Sequence, residues 1–240
     1  MKNAIIPSSL GLTHPSVQGV LKIAEEIVSN NKVLNIDKLY NVAKRRLKLP
    51  RKGLLNIIHF LLNKKILFEG SKFTKDSVLK NSCRLLVNDF INKNPGSHFS
   101  LIRREVFLDE TSRINGTGQL IWHIEMLLKF SYIKKIKIKN YTVFIPFNMD
   151  ERRAVLFFFL RDDINRKIIR ILTQQNSVVK SNIHKIINEK RESVYYRINN
   201  LLASDIINYY EEKNKILCIN PALNDILNEI LKNVNANDIT

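Results

Sequence analysis

Between residues 100 and 146, the spacing of the apolar residues changes from helical to alternating. A short helix is predicted over 100–106, and a longer one follows the helix-breaking residues 115–118. The apolar side chains of the longer helix recur at steps of three and four, and therefore share one face. They are Leu120, Ile121, Ile124, Leu127 and Leu128.

The same segment ends in a predicted hairpin. Lysine and isoleucine alternate from residue 135 to residue 139, as they do in a half-buried strand. Asn140 is a residue type that tolerates the left-handed turn conformation, and residues 141–146 return as a second strand. Two helices followed by such a hairpin are typical of a winged helix-turn-helix, in which the hairpin is the wing.

A similar order precedes this segment. A helix is predicted over 17–30, a second one begins where Asn35 or Asp37 caps it, and Pro50 opens a third. Residues 66–73 then form a minimal hairpin. The first part of the chain is therefore predicted to be a winged helix with a short wing.

The order is repeated once more after residue 163. A helix with an apolar stripe is predicted from residue 164, a second over 182–188, and a third that Ser193 caps. Residues 206–219 form a hairpin, and Pro221 opens a final helix. The predicted fold is mainly α with small β-hairpin wings (α+β), in three consecutive winged-helix-like units. The predicted segments are an N-terminal arm (1–16), unit one with a short wing (17–78), unit two (79–147), an apolar junction (148–163) and unit three with a C-terminal helix (164–240).

The junction contains the apolar run from Ala154 to Leu160. Seven apolar residues form either a buried strand or two buried helical turns, and periodicity does not separate the two. The run is core between neighbouring units, a contact between two copies of the chain, or a membrane contact.

Two motifs in the central segment resemble a known family. They are NPG-x-HF at residues 94–99 and TGQL-x-WH-x-E-x-LLKF at residues 117–130. Both are similar to archaeal-type transcriptional regulators with tandem winged helix-turn-helix domains. That family usually has isoleucine where this chain has Ser97, and a shorter link than residues 108–116. The resemblance implies double-stranded DNA as partner, a recognition helix in the major groove, and a homodimer formed through the terminal helix.

The charge of the chain favours a polyanionic partner. The chain has 39 basic and 22 acidic residues, a formal net charge of +17. Residues 1–78 carry +9, residues 79–147 carry +6 and residues 148–240 carry only +2. The polyanion is therefore expected mainly on the first two units.

Basic residues cluster at two predicted phosphate contacts. The first is the turn before the third helix, where helix-turn-helix proteins hold phosphates, although a solvated basic turn is the alternative. It contains Lys44, Arg45, Arg46, Lys48, Arg51 and Lys52. The second is the wing, where Lys135, Lys137 and Lys139 are expected on one strand face. Lys134 and Asn140 flank that face.

Residues on two helices are predicted to read DNA bases. In the central unit they are Thr117, Gln119, Trp122 and His123. Glutamine is able to pair with adenine through two hydrogen bonds. Trp122 alternatively packs beneath the wing, and His123 is alternatively a polar helix residue. The equivalent residues of the third unit are Lys190, Arg191, Tyr196 and Arg197.

The sequence indicates no catalytic, cofactor or metal site. Its five histidines are scattered and none has HExxH spacing. Cys83 and Cys218 lack a CxxC partner, which excludes a typical zinc site and suits the reducing cytoplasm. Residues 1–12 lack the hydrophobic region of a signal peptide, and the longest apolar run is too short to cross a membrane. We expect a cytoplasmic protein that is not an enzyme and has no cofactor and no membrane partner.

Three functions are compatible with this pattern. A DNA-binding transcriptional regulator agrees best with the charge. A protein-interaction scaffold like the ESCRT-II subunits would use Trp122, Met126 and the apolar run of the junction, but has no need of the positive charge. A basal transcription or replication factor would bind DNA by the same physics. The sequence identifies no effector and gives no sign of a small-molecule pocket, although the junction between the second and third units could hold one.

Overall fold

The structure of the protein, a computed structural model, describes residues 11–29, 32–108 and 116–237. Over these ranges the chain is mainly helical with small antiparallel sheets, which confirms the predicted α+β class. The predicted arm up to residue 10 and the link at residues 109–115 lie outside the described residues.

The chain divides into two compact units. Unit 1 consists of Met1–Asn92 and Ser100–Lys134, and unit 2 consists of Lys93–Phe99 and Lys135–Thr240. The predicted central segment, residues 79–147, contributes residues to both.

The first three helices of unit 1 form a small helical core. Val20, Leu39 and Leu54, one from each helix, are completely buried in it. Asn35 caps the second helix by accepting a hydrogen bond from the backbone N–H of Lys38 at 2.8 Å. The helices lying mostly in unit 1 are α1 (Pro15–Ser29), α2 (Ile36–Leu47), α3 (Arg51–Asn63), α4 (Lys75–Val78), α5 (Ser82–Lys93), α6 (Phe99–Leu108) and α7 (Thr117–Lys129).

The predicted hairpin at residues 66–73 is wrong, because no strand forms there. The backbone of Leu34 bonds this segment instead: its N–H donates to Ser71 O, and its carbonyl accepts from Gly70 N–H, both at 2.8 Å. A hairpin with two or three residues on each side has few hydrogen bonds of its own, so pairing with a distant residue prevails.

Six strands form two antiparallel sheets within the described residues. The first sheet has the order β1 (Ser97–His98), β3 (Tyr141–Pro146), β2 (Ile133–Ile138), and the second has the order β4 (Ser177–Val179), β6 (Ile216–Ile219), β5 (Ile207–Glu211). In each sheet the short strand pairs with the last strand of the hairpin. The sequence did not predict β1 or β4, since two or three residues are too few to show an alternating pattern.

The apolar run of the junction is helical. It forms most of α8 (Glu151–Leu160), which Asp150 caps by accepting from the backbone N–H of Arg152 at 2.7 Å. The run is therefore helical and not a strand. Three of its side chains are buried in the core of unit 2, which agrees with the interpretation of the run as core: Ala154, Leu156 and Phe159.

The remaining helices complete the core of unit 2. Ser193, predicted to cap a helix, lies inside it as the third residue of its first turn, and Lys190 is the N-cap. These helices are α9 (Asp163–Gln175), α10 (Lys180–Ile186), α11 (Arg191–Leu202), a short 3-10 helix (Pro221–Leu223) and α12 (Asn224–Asn237). Among the described residues, no helix has the length and apolarity needed to span a membrane.

Candidate nucleic-acid interface

The basic turn between α2 and α3 is exposed. Lys44 and Arg45 lie in the last turn of α2, where cations interact favourably with the helix dipole. Lys48 ends this helix in the left-handed conformation, with φ of 51°. Arg51 and Lys52 open α3, whose N-cap, Pro50, makes no side-chain hydrogen bond to the first amides. An exposed cationic helix start of this kind suits a phosphate group.

Arg46 is exposed as well, but its charge is paired within unit 1. Its guanidinium forms an ion pair with Glu26 of α1. The carboxylate neutralises the charge that the sequence assigned to phosphate binding. Arg45 also has an internal contact, from its Nε to the carbonyl oxygen of Asn41 at 3.3 Å, but this acceptor is uncharged.

The strand β2 carries the wing cations. The side chains of Lys135 and Lys137 are exposed, and neither ammonium has a hydrogen bond or an ion pair with another described residue. Ile136 is half-buried and Ile138 is buried, so the alternation predicted from the sequence is confirmed. The position of Lys134 before this pair is half-buried.

Lys139 was predicted on the same strand face, and this is wrong. The strand ends at Ile138, and the left-handed turn conformation predicted for Asn140 is taken by Lys139, with φ of 53°. Its ammonium bonds to Asn200 Oδ1 and lies 5.9 Å from the ring centroid of Phe159. Asn140 is exposed in the turn.

Helix α7 is rotated relative to the predicted orientation. His123, expected on the surface, is 1% exposed, whereas Ile121, expected in the core, is 48% exposed. The buried stripe is Leu120, His123, Ile124 and Leu127, which has regular helical spacing. Of the other predicted base readers, Gln119 is exposed and Thr117 is half-buried.

Trp122 and His123 pack around a buried arginine. The guanidinium carbon of Arg84 lies 4.6 Å from the ring centroid of Phe73 and 5.1 Å from that of Trp122. The Arg84 Nε donates to Val78 O at 2.7 Å. Burial lowers the pKa of His123, and the charge of Arg84 lowers it further, so His123 does not supply a cation for DNA at neutral pH. Trp122 packs on Arg84, and 44% of its surface nevertheless remains exposed.

Helix α11 presents a second group of predicted contacts. Lys190 and Arg191 are exposed at its start, and Tyr196 is 66% exposed. Arg197 is not available, because its Nε and Nη2 each donate to a carboxylate oxygen of Asp162 at 2.9 Å.

The sequence interpretation missed two residues beside this group. The Tyr195 ring centroid lies 5.1 Å from Lys180 Nζ and 5.0 Å from the guanidinium carbon of Arg191. Arg191 and Tyr195 are four residues apart and therefore lie on one helix face, so their contact could have been predicted from the sequence. Lys180 comes from another helix, which only the fold brings close.

Comparisons with family models, with curated proteins and with solved structures found no match. Within the described ranges, no cluster of three or more His, Cys, Asp or Glu side chains is arranged to hold a metal ion. The functional argument therefore depends on the side chains themselves.

Proposed function

We propose that the protein is a non-enzymatic DNA-binding transcriptional regulator that holds duplex DNA through exposed cations of both units. The observation that carries this proposal is that Lys135 and Lys137 are exposed side by side on β2, and that neither has a carboxylate partner among the residues the structure describes. Two like charges on one strand face repel each other, and a phosphate group would relieve that repulsion.

The order of elements supports a winged helix-turn-helix interpretation of two segments. The segments α5–β1–α6–α7–β2–β3 and α9–β4–α10–α11–β5–β6 share one element order and one strand order. In this interpretation β2 and β3 form one wing and β5 and β6 the other, while α7 and α11 are recognition helices. The α1–α3 segment would be a helical unit without a wing.

The DNA contacts divide by chemistry. Lys44, Lys48, Arg51 and Lys52 of unit 1, with Lys135 and Lys137 of unit 2, would hold phosphates and set affinity. Gln119 of α7 would contact base edges and determine which DNA sequence is preferred. The resemblance further implies a homodimer, for which sedimentation equilibrium of the free protein is the test, and a dimer would select a palindromic site.

One observation favours the scaffold alternative. Ile121 and Trp122 are adjacent on α7 and both nearly half exposed, as in an apolar docking surface. The net charge of +17 gives a scaffold no advantage, so DNA binding remains the preferred function.

The deciding experiment is fluorescence anisotropy of the full chain with a random-sequence duplex at low and physiological salt. We expect salt-sensitive binding that Lys135→Glu with Lys137→Glu weakens at least tenfold. The matched control is Lys22→Glu with Lys80→Glu, which makes the same charge change at exposed positions of unit 1 outside the proposed contacts. Absence of binding at low salt, or an equal loss in the control, contradicts the proposal.

A further inference from the structure

A cavity of about 320 Å³ lies within unit 2 and is not explained by duplex binding. The wing turn, the end of α8 and the helix α11 together line it. Its volume is within the range of small-molecule sites. The residues that matter for its chemistry are Lys139, Tyr141, Phe158, Arg161, Asn165 and Tyr196.

Aromatic rings form much of the wall. The ring centroid of Tyr141 lies 5.7 Å from that of His98 and 5.6 Å from that of Phe158, which are distances of packed aromatic pairs. Tyr141 nevertheless remains 52% exposed, and Tyr196 is 66% exposed. A planar ligand therefore finds accessible aromatic surface that is already held in place by neighbouring rings.

The cavity also has an excess of positive charge. The Asp162 carboxylate is neutralised by Arg197. Among the described residues, Arg161 donates only to uncharged oxygens, including the carbonyls of Pro95 at 2.8 Å and Asn94 at 2.9 Å, so no described carboxylate offsets its charge. The Lys139 ammonium bonds to the uncharged amide of Asn200. An anionic group near Lys139 and Arg161 is therefore favoured.

Asn165, which also lines the cavity, has a buried acceptor without a donor in the part of the chain that the structure describes. Asn165 is 6% exposed, and its amide nitrogen donates to Phe159 O at 3.1 Å. Its Oδ1 accepts no hydrogen bond from the described residues, a costly state for a buried oxygen. Because this oxygen is not accessible from the cavity, an amino group on the ligand would reach it only after the Asn165 side chain moves.

We propose that this cavity binds a nucleotide, with the base stacked on Tyr141 and the phosphate at Lys139. Aromatic rings combined with cations are the chemistry that holds unstacked bases and their phosphates. The nucleotide is either a free mononucleotide or an unpaired residue of a nucleic-acid strand. The site does not depend on the proposed function, because it is formed whether or not the chain binds duplex DNA.

The test is calorimetric titration of the full chain with AMP, which carries both an amino group and a phosphate, and with a single-stranded oligonucleotide. We expect saturable binding of AMP, of the oligonucleotide, or of both. Tyr141→Leu should weaken it at least about fivefold, the lower bound for loss of one stacking contact, and Lys139→Asn should weaken it by a similar factor because the phosphate loses its cation. Asparagine is chosen at position 139 because it tolerates positive φ.

Matched controls separate the cavity from the general surface. Tyr210→Leu changes a tyrosine that is 75% exposed on β5, and Lys185→Asn changes an exposed lysine of α10, both outside the cavity and outside the proposed duplex contacts. Both should retain AMP or oligonucleotide binding within about twofold. Ribose 5-phosphate, which lacks the base, should bind at least tenfold more weakly than AMP if AMP binds. Binding in neither arm, equal losses in the controls, or ribose 5-phosphate binding as well as AMP would overturn the proposal.

Discussion

His123 and Arg84 are buried together in unit 1, where 1% and 3% of their surfaces are exposed. Both imidazole nitrogens of His123 and the Nη1 of Arg84 lack a hydrogen-bond partner among the described residues. Charging the imidazole would add a second buried cation beside the first. The packing of Trp122 and Phe73 on Arg84 offsets part of the cost of burying the guanidinium.

The first prediction concerns the pH dependence of stability. Because the pKa of His123 is lowered in the folded state, the unfolded chain binds its proton first as the pH falls below about 6.5. The free energy of unfolding of unit 1 should therefore decrease below that pH, by at most about 1.4 kcal/mol for each pH unit. Urea unfolding followed by Trp122 fluorescence at pH 7.5 and pH 5.5 measures this.

Two variants isolate the group responsible. His123→Leu should remove the part of the pH dependence due to this residue, since leucine fills the buried site without titrating. His59→Gln changes an exposed histidine of α3 and should leave the wild-type dependence. If both variants retain it, His123 is not the source.

A second prediction at this scale separates base reading from phosphate holding. Gln119 lies exposed in the first turn of α7, and replacing it with alanine should change sequence preference more than affinity. Selection of binding sites from a random duplex library with wild type and Gln119→Ala gives both quantities. An unchanged selected sequence would remove Gln119 from the base-reading role.

At the scale of elements, the turn before β1 is fixed by its approach to α8. Gly96 has φ of +78°, and a Cβ added there would lie 2.9 Å from the carbonyl oxygen of Ala154. Gly70 also has positive φ, at +72°, but a Cβ there meets nothing within 4 Å. The two glycines therefore share the conformational requirement and differ in the space around them.

This difference gives the third prediction. Gly70→Ala should cost about 1–2 kcal/mol, the strain of a left-handed residue with a side chain. Gly96→Ala should cost distinctly more, because the backbone of α8 must also move. Thermal unfolding of both variants, followed by circular dichroism, compares them. Equal losses would mean that the approach of α8 is not tight.

The elements were predictable where a period was long enough to be read. The helices α1, α7 and α9 and the strand β2 follow from their apolar spacing, and α2 follows from its cap, Asn35. The spacing did not predict which face of α7 is buried, because its apolar stripe is wide enough to allow two orientations. The packing of the helix beside Arg84 also does not follow from the residues of the helix itself. Two further features depend on contacts between residues distant in sequence and were therefore not predictable from local spacing. They are the backbone hydrogen bonds of Leu34 to residues 70 and 71 and the ion pair of Arg46 with Glu26.

On the scale of the whole molecule, positive charge lies on both compact units. Arg51 and Lys52 open α3 in unit 1, and Lys135 and Lys137 lie on β2 in unit 2, all four exposed. The internal ion pairs of Arg46 and Arg197 show that the net charge alone overstates what is available to a ligand. The useful quantity is the number of exposed cations without a carboxylate partner.

The fourth prediction counts these cations through the salt dependence of duplex binding. Each phosphate contact contributes about 0.9 to the slope of log K against log salt. Arg51→Gln with Lys52→Gln, and Lys135→Gln with Lys137→Gln, should each reduce the slope by about 1.8, and all four changes together by about 3.6 if both units hold one duplex. The control pair Lys22→Gln with Lys80→Gln should leave the slope unchanged. A fourfold variant whose slope falls no further than that of one pair would mean that only one unit contacts the duplex, because cations remote from the DNA release no counterions.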